Sequence, residues 1–477
     1  MADSGDTMDK LFGRAVAAQA NGDLSVARQL YEALLAHGTH GDASTNLSIC
    51  LFLLGDPARA EGHARDALAT DPDNGNAHNN LGLALKVQGR VEDAVAAFDA
   101  SARTHPQPAV PLTNLAVLFQ ALGRQAEALS AVDRALASDP FYPQAVELGI
   151  ALRMEFVRWQ DLDRLIASAK ALVQKGIPFN PYALFTCCLD PAELLRAQAA
   201  YARQAMMDAR AAAPWQAPPR RRAGARLKIG YVSSFFHAHA AAYLCAEVLE
   251  AQARSDMELF AYCYSPDRDQ AFRDRILAHF DHIRDIRDLA TGEAVEVIRA
   301  DELDVLVDLN GYSNGGRMGI LAARCAPVQM HWFGYPGGLG APFIDYIIGD
   351  RYTTPVQASD AYREHIIRMP YSYFPSAASR VVDDRFGSRS ALGLPEEALV
   401  LAVFNQTRKL TPISFEMWAG ILSQVPKAVL WFWLNQPEAR EPILRVLAAR
   451  GIAPERVFFS PSMELPLHLA RFRYADL

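Results

Sequence analysis

Apolar residues keep one rhythm over roughly the first 213 positions and a different one afterwards. The early stretches, from "NLGLALKVQG" to "QDLDRLIASAKALVQKG" and "DPAELLRAQAAYARQAMMDARAAA", read as helices. Past the Pro-rich, basic "PWQAPPRRRAGAR" the period changes. Short β-rich runs ("LKIGYVSS", "MELFAYCYS", "DHIRDI", "LDVLVDLNGY", "VQMHWFGYPG", "IDYIIGD") then alternate with helical ones such as "AYLCAEVLEAQA" and "AVEVIRA". That alternation predicts a parallel sheet with helices on both faces. A second series follows Arg389, with "ALVLAVFN", "AVLWFWL" and "RVFFS" as its strands. Two Rossmann-like units in tandem are expected to place a cleft between their strand ends.

The helical part repeats itself. Gly22, Gly55, Gly89 and Gly123 are separated by 33, 34 and 34 residues. Ala27, Ala60, Ala94 and Ala128 follow five residues after them, and Pro72, Pro106 and Pro140 follow the last three glycines by 17. Glycine relaxes the turn between two helices, alanine lets them pack closely, and proline ends the second. The 34-residue unit resembles the tetratricopeptide repeat, a helix–turn–helix stacked into a solenoid. Asn46, Asn80 and Asn114, each followed by leucine, recur at the same period. They read either as polar helix surface or as a line of amides along a concave groove, able to bond the backbone of an extended peptide. Asn79 beside Asn80 fits the second reading.

Composition narrows the possibilities. The 477 residues exceed one core, and 51% hydrophobic with 21% charged residues describes a soluble, well-packed protein. A net charge of −7 gives no reason to expect nucleic acid or a membrane surface as partner, so an anionic ligand must be held by local cations. The first residues carry no basic or apolar signal region, and runs such as "AVLWFWL" are far short of the roughly 20 residues of a membrane helix. Six cysteines (Cys50, Cys187, Cys188, Cys245, Cys263, Cys325) lack metal-type spacing and read as reduced thiols, which points to the cytoplasm. Asp161-Leu162-Asp163 mimics an Asp-x-Asp metal motif, but its place at a helix start reads as a cap and first-turn acid pair.

Chemistry is concentrated at strand ends. "VFNQTRKLTP" leaves a strand and sets Gln406, Arg408 and Lys409 before a helix start, where dipole and free N–H groups favour an anion. Taken alone, Lys409 reads as a surface lysine, His239 as structural and Gly337, Gly338 and Gly340 as a turn. Neither α/β half has a G-x-G-x-x-G fingerprint or a P-loop, which disfavours a dehydrogenase or P-loop ATPase. Two facing Rossmann-like domains without those motifs suit a nucleotide-sugar glycosyltransferase of GT-B type.

Repeats followed in order by "GYVSS…H", "DLNGY", "WFGYPGGLGAPFIDYIIGD", "VFNQTRK" and "RVFFSP…H" resemble the protein O-GlcNAc transferase (SPINDLY-like) family over nearly the whole chain. The resemblance implies an α + α/β chain. A tetratricopeptide-repeat α-solenoid (1–150), a helical bridge or cap (151–213) and a linker (214–226) precede a GT-B enzyme. Its two Rossmann-like domains would span 227–385 and, incompletely, 386–477. By resemblance, His239 lies in the donor and acceptor cleft, and Tyr312, Ser313, Phe333, Gly334 and Pro336 line the sugar pocket. Gln406 and Lys409 contact the diphosphate, while His468 and Arg471 hold uridine and phosphates; Arg408 is left as surface.

The implied reaction is inverting transfer of N-acetylglucosamine from UDP-GlcNAc to Ser or Thr of a protein, with no metal and no cofactor. Lys409 meets the charge growing on the diphosphate, and His239 is the candidate general base. The pattern departs from the family at Phe235, where an aspartate is usual, at Tyr182 for a histidine, at Leu465 for a lysine and at Ala240 for a proline. The chain stops at "RFRYADL", before the family's next strand and phosphate loop, so a fragment with an uncovered sheet edge is expected. The alternatives are another nucleotide sugar, such as GDP-fucose, or a peptide-binding scaffold with an inactive transferase half.

Overall fold

A computed structural model describes residues 2–185, 190–209, 212–217, 224–266, 269–313, 315–376, 380–434 and 436–477. Cys187, Cys188 and the arginine run of the linker lie outside the described residues. The chain divides into two compact units, Met1–Leu152 and Arg153–Leu477.

The first unit stacks helical hairpins: Ala2–Ala20 with Leu24–Leu35, Gly41–Leu53 with Pro57–Thr70, Gly75–Val87 with Val91–Thr104, and Ala109–Ala121 with Gln125–Ser138. The four marker glycines take φ of +85°, +84°, +74° and +69°. After each, one N–H returns five residues to a carbonyl (Asp23 to Ala18, Asp56 to Leu51, Arg90 to Leu85, Arg124 to Phe119) at 2.9–3.0 Å. This is the closure that a left-handed residue permits at a helix end. The marker alanines are fully buried between paired helices. Exposed ion pairs such as Arg59–Glu32 and Arg90–Glu61, both at 2.7 Å, run between repeats. Each is worth at most about 1 kcal/mol, so the buried alanine and leucine packing decides the stacking.

The asparagine ladder turns inward. Both amide hydrogens of buried Asn80 are committed, to the Thr45 carbonyl at 3.0 Å and to Ser48 Oγ at 2.9 Å. Asn114 donates to Asn79 Oδ1 at 2.9 Å and Asn46 to the Tyr31 hydroxyl at 3.2 Å. The expectation of amides pointing into a peptide groove is therefore corrected for Asn80, which ties one repeat to the preceding one. Asn46 and Asn114 are half-buried and keep part of their hydrogen-bonding capacity.

The second unit holds two parallel sheets. The first is built from β1 (Leu227–Ser233), β2 (Met257–Cys263), β3 (His282–Asp285), β4 (Val305–Asp308), β5 (Val328–His331), β6 (Tyr346–Asp350) and β7 (His365–Met369), in the order β3-β2-β1-β4-β5-β6-β7. The second has β8 (Leu399–Val403), β9 (Ala428–Trp433) and β10 (Val457–Ser460), in the order β10-β9-β8, which repeats the first half of the first sheet. Apolar clusters cover both faces of each sheet, as the near-continuous hydrophobic strands require.

The bridge helices (Leu162–Gln174, Pro181–Phe185, Pro191–Asp208) belong to this unit and supply part of that cover. Ala202 and Ala205 enter the core on one face of the first sheet. Val157 and Trp159 enter that of the second, where Trp159 meets Phe415 edge-on at 5.1 Å. Asp161 takes the N-cap position at φ +59° but makes no side-chain cap bond, while Asp163 sits in the first turn as expected. The outer edge of β8 is not bare: Asp476 N–H reaches the Val400 carbonyl at 2.9 Å and Ala402 N–H the Leu477 carbonyl at 2.7 Å. Asp476 also accepts from Val400 N–H at 2.8 Å. Among the described residues no helix is long and apolar enough to cross a membrane.

Candidate active site

In the first sheet β1 lies between β2 and β4, so the connections leaving β1 and β4 diverge to opposite sides. A crevice opens at the carboxyl ends of strands where the order reverses in this way, and ligands of open α/β sheets sit there. Ser233 and Ser234 leave β1 at this point, and Asn310 to Ser313 leave β4.

Fully buried Asn310 staples the two loops. Its Oδ1 accepts from Ser234 N–H at 2.9 Å and Ser233 Oγ at 3.2 Å, and its Nδ2 donates to Ser234 Oγ at 2.7 Å. At the end of β4, Asp308 accepts the N–H groups of Asn310 (3.0 Å) and Gly311 (2.7 Å) and pairs with Nδ1 of His331, on neighbouring β5, at 2.8 Å. The other ring nitrogen of His331 donates to the Tyr335 carbonyl at 2.9 Å. Asn310, Asp308 and His331 lie within the motifs "DLNGY" and "VQMHWFGYPG" but are not among the residues expected at the site. An acid and an imidazole at the ends of neighbouring strands were the available signal.

The loop after β5 is close-packed. A Cβ on Gly334 would lie 1.5 Å from the Leu309 carbonyl oxygen, so this position admits glycine alone. Phe333 next to it adopts φ +47°, a conformation that costs an aromatic residue on the order of 1–3 kcal/mol and persists where surrounding structure imposes it. Its buried ring stands edge-on to Phe374 at 5.9 Å. Tyr312 is a strut rather than a pocket wall: it is buried and its hydroxyl donates to the Leu339 carbonyl at 2.5 Å. Burial pushes that hydroxyl well above its ordinary pKa. Ser313, half-buried, donates to the Asn310 carbonyl at 2.7 Å, and Pro336 is exposed. The glycine-rich turn that follows is held by Glu364, whose Oε1 accepts from Leu339 N–H at 2.8 Å.

His239 caps the helix Ala240–Ala253, its Nδ1 accepting from Ala241 N–H at 3.1 Å. The ring lies flat on Phe235, with centroids 4.1 Å apart and planes within 3°. Burial, and then the neighbouring His237, lower its pKa to about 4.

The second cluster stands at the carboxyl edge of the second sheet. Thr407–Lys409 forms a single 3-10 turn between β8 and the helix Pro412–Gln424, whose first turn is capped by Thr411. Lys409 is exposed, and among the described residues nothing pairs with it. Arg408 was expected to be surface; instead its Nε donates to Gln406 Oε1 at 2.8 Å and its guanidinium lies 5.1 Å over the Tyr182 ring. Arg471 also departs from expectation. It is fully buried, lies 4.6 Å over Phe404, and donates to Ser460 Oγ at 2.9 Å and the Pro461 carbonyl at 3.1 Å. Desolvation lowers its pKa to about 10. It also reaches His468 Nδ1, leaving the other ring nitrogen as a donor. Burial, and then Arg471, lower the His468 pKa to about 4, so this ring is neutral.

Residues 204–384 and 377–477 match the model of glycosyl transferase family 41, and residues 12–74, 54–111 and 80–143 match a tetratricopeptide repeat. The chain is 30% identical over 338 residues to the "Probable UDP-N-acetylglucosamine–peptide N-acetylglucosaminyltransferase SEC" of Arabidopsis thaliana, covering 67% of this chain and 34% of that protein. It is 25% identical over 366 residues to the UDP-N-acetylglucosamine–peptide N-acetylglucosaminyltransferase of Caenorhabditis elegans, covering 53% and 32%. It thus spans about a third of the length of these curated relatives. Among solved structures, an O-GlcNAc transferase mutant of Thermobaculum terrenum is similar with a TM-score of 0.59 and 25% identity, over 92% of this chain and 78% of that one. The solenoid and the two parallel sheets match the GT-B architecture of that structure. The family match covers more than half of the chain and takes in both clusters of site residues, so the chain belongs to glycosyl transferase family 41.

Proposed function

We propose that this chain transfers N-acetylglucosamine from UDP-N-acetylglucosamine to a serine or threonine hydroxyl of a protein. The observation that carries the reading is the unpaired, exposed Lys409 at a sheet's carboxyl edge, in the same unit as the switch-point loops after β1 and β4, which carry Ser234, His239 and Ser313. The names of the relatives, which specify this donor and peptide acceptors, support it.

In the proposed step the acceptor oxygen bonds to the anomeric carbon as the bond from that carbon to the phosphate oxygen breaks, and the hydroxyl proton passes to the departing diphosphate or to water. UDP leaves and the configuration inverts. Negative charge grows on the diphosphate, where the Lys409 ammonium and the N–H of neutral His468 stabilise it. Losing one such preplaced contact typically costs on the order of 10²–10³ in rate. Gln406 and Arg471 position these groups, Arg471 by fixing the His468 ring. Acceptor peptides would run along the solenoid, where Asn46 and Asn114 retain amide capacity. The buried free thiols Cys50, Cys245, Cys263 and Cys325 suit a reducing compartment and so a cytoplasmic enzyme.

The test is calorimetric titration of UDP, UDP-GlcNAc and GDP-fucose into the chain, with transfer to a serine-containing peptide followed by NMR at the anomeric centre. Binding of the two uridine nucleotides and a β-linked product are expected. An α-linked product, or binding of GDP-fucose alone, sinks the reading.

A further inference from the structure

His239 holds its ring by one nitrogen and offers the other. Nδ1 accepts the Ala241 N–H at 3.1 Å, which satisfies one of the free donors of the helix Ala240–Ala253. Only an unprotonated nitrogen accepts a hydrogen bond, so the neutral ring must carry its proton on Nε2. The opposite tautomer, which a base acting through Nε2 requires, would set an N–H on Nδ1 against the Ala241 N–H. An imidazolium would do the same and add a cation at the positive end of the helix. We infer that His239 is a neutral hydrogen-bond donor, presenting Nε2–H to an oxygen of the nucleotide sugar, and that it does not take up the proton of the acceptor hydroxyl. The ligand half of this inference rests on the transferase reading above.

The surroundings agree. Phe235 covers one face of the ring at 4.1 Å, and the titratable neighbour acting on it is His237, whose ring lies 5.7 Å away. Among the described residues no carboxylate bonds to the ring to favour its cation, and Nε2 has no protein partner. The low pKa of about 4 keeps the donor form in place throughout the neutral range. The loops after β1 and β4 approach each other at Ser234, whose Oγ would lie 3.3 Å from a Cβ on Gly315. His239 itself lies on the connection that leaves β1, between Ser233 and the helix Ala240–Ala253, and ligand oxygens of a phosphate or of a sugar meet open α/β sheets at such switch-point loops.

Two-bond proton–nitrogen NMR on the chain labelled with ¹⁵N-histidine tests the tautomer without reference to activity. The Nε2–H pattern is expected unchanged from about pH 8 to about pH 5.5. An Nδ1–H pattern, or an imidazolium forming between about pH 6 and 7, overturns the inference. His239→Asn keeps a good helix cap but no donor at the Nε2 position, whereas His239→Gln carries an amide N–H near it. We expect kcat/KM to fall about 10²-fold in the Asn variant and to stay within about 10-fold of wild type in the Gln variant. Equal loss in both is the result of a missing base and overturns the inference. Calorimetry on His239→Asn separates the partners: weaker binding of UDP and UDP-GlcNAc alike assigns the phosphate, and weaker binding of UDP-GlcNAc alone assigns the sugar. Unchanged affinity for both overturns the contact. A wild-type chain that binds neither nucleotide overturns the transferase reading and the ligand assigned to Nε2, while the spectrum still judges the tautomer.

Discussion

Asp308 and His331 are register partners at the carboxyl ends of β4 and β5, 2.8 Å apart, with both side chains buried. Both oxygens of Asp308 also accept backbone N–H groups, and the second ring nitrogen of His331 faces a carbonyl that can only accept. The arrangement therefore calls for an ionised carboxylate and protons on both ring nitrogens. One buried charge pair fixes the "DLNGY" and "FGYPG" loops to each other and, through Asn310, to the serines after β1.

Removing one partner of such a pair leaves an uncompensated charge in a dry site, at a cost of about 3–5 kcal/mol. His331→Ala is expected to destabilise the α/β unit by that amount in urea unfolding. Burial opposes the His331 charge, but the bond to Asp308 and its negative charge, with the Tyr335 carbonyl, raise the pKa above the ordinary 6.5. A raised folded value means that the pair's contribution is complete below about pH 6.5 and is lost as pH climbs through the folded pKa. Stability should accordingly decline on the alkaline side in wild type, with that slope missing in His331→Ala. A wild-type profile flat from about pH 6 to 9 would refute the charged pair.

The strands of both sheets were legible because parallel strands buried on both faces read as apolar runs, from "KIGYVS" to "VLWFW". β7 was missed: "HIIRM" is an edge strand with alternating exposure, and its short run sits between charged and turn residues. The loops of the site were legible as motifs, but not the direction of their side chains. Tyr312, Arg471 and Asn80 look like ligand contacts and are buried, while Arg408 looks like surface and is engaged. In each case polarity was visible and burial was not. Asn80 meets Thr45 across 35 positions, Tyr312 meets Gln198 across 114, and Arg408 lies over Tyr182 of the bridge. Partners so distant in sequence leave no local signal.

The inward turn of Asn80 has a measurable consequence in the solenoid. Asn80→Ala removes two hydrogen bonds to the preceding repeat and leaves the Thr45 carbonyl and the Ser48 hydroxyl without that partner. Ser48 Oγ still donates to the Thr45 carbonyl at 2.7 Å, so the loss is that of two hydrogen bonds at about 0.5–1.5 kcal/mol each, about 1–3 kcal/mol together. Because repeats are coupled to nearest neighbours, the loss should be local. Amide exchange in Gly41–Leu53 and Gly75–Val87 is expected to quicken by about 5- to 150-fold, with Gln125–Ser138 little changed. Unchanged exchange in all of these helices would show that the amide is dispensable to the stack.

Lys409 and Arg408 are adjacent cations with opposite situations, and substitution should separate them. Lys409 is exposed and unpaired among the described residues, so its removal costs the fold little and the ligand much. A hydrogen bond to a charged group is worth about 1.5–3 kcal/mol, which predicts a loss of about 10- to 150-fold in UDP affinity for Lys409→Ala. The loss should shrink as salt rises, because an exposed ammonium is screened. Arg408 holds Gln406 and lies on Tyr182, an arrangement worth about 0.5–2 kcal/mol to the protein itself. Arg408→Ala is therefore expected to lower the melting temperature of the α/β unit and to weaken UDP less than Lys409→Ala does. Calorimetry with thermal melting on both variants decides the matter. If Arg408→Ala abolishes UDP binding while Lys409→Ala leaves it intact, the diphosphate is held by the buried side of this turn, and the site must be redrawn around Gln406 and Tyr182.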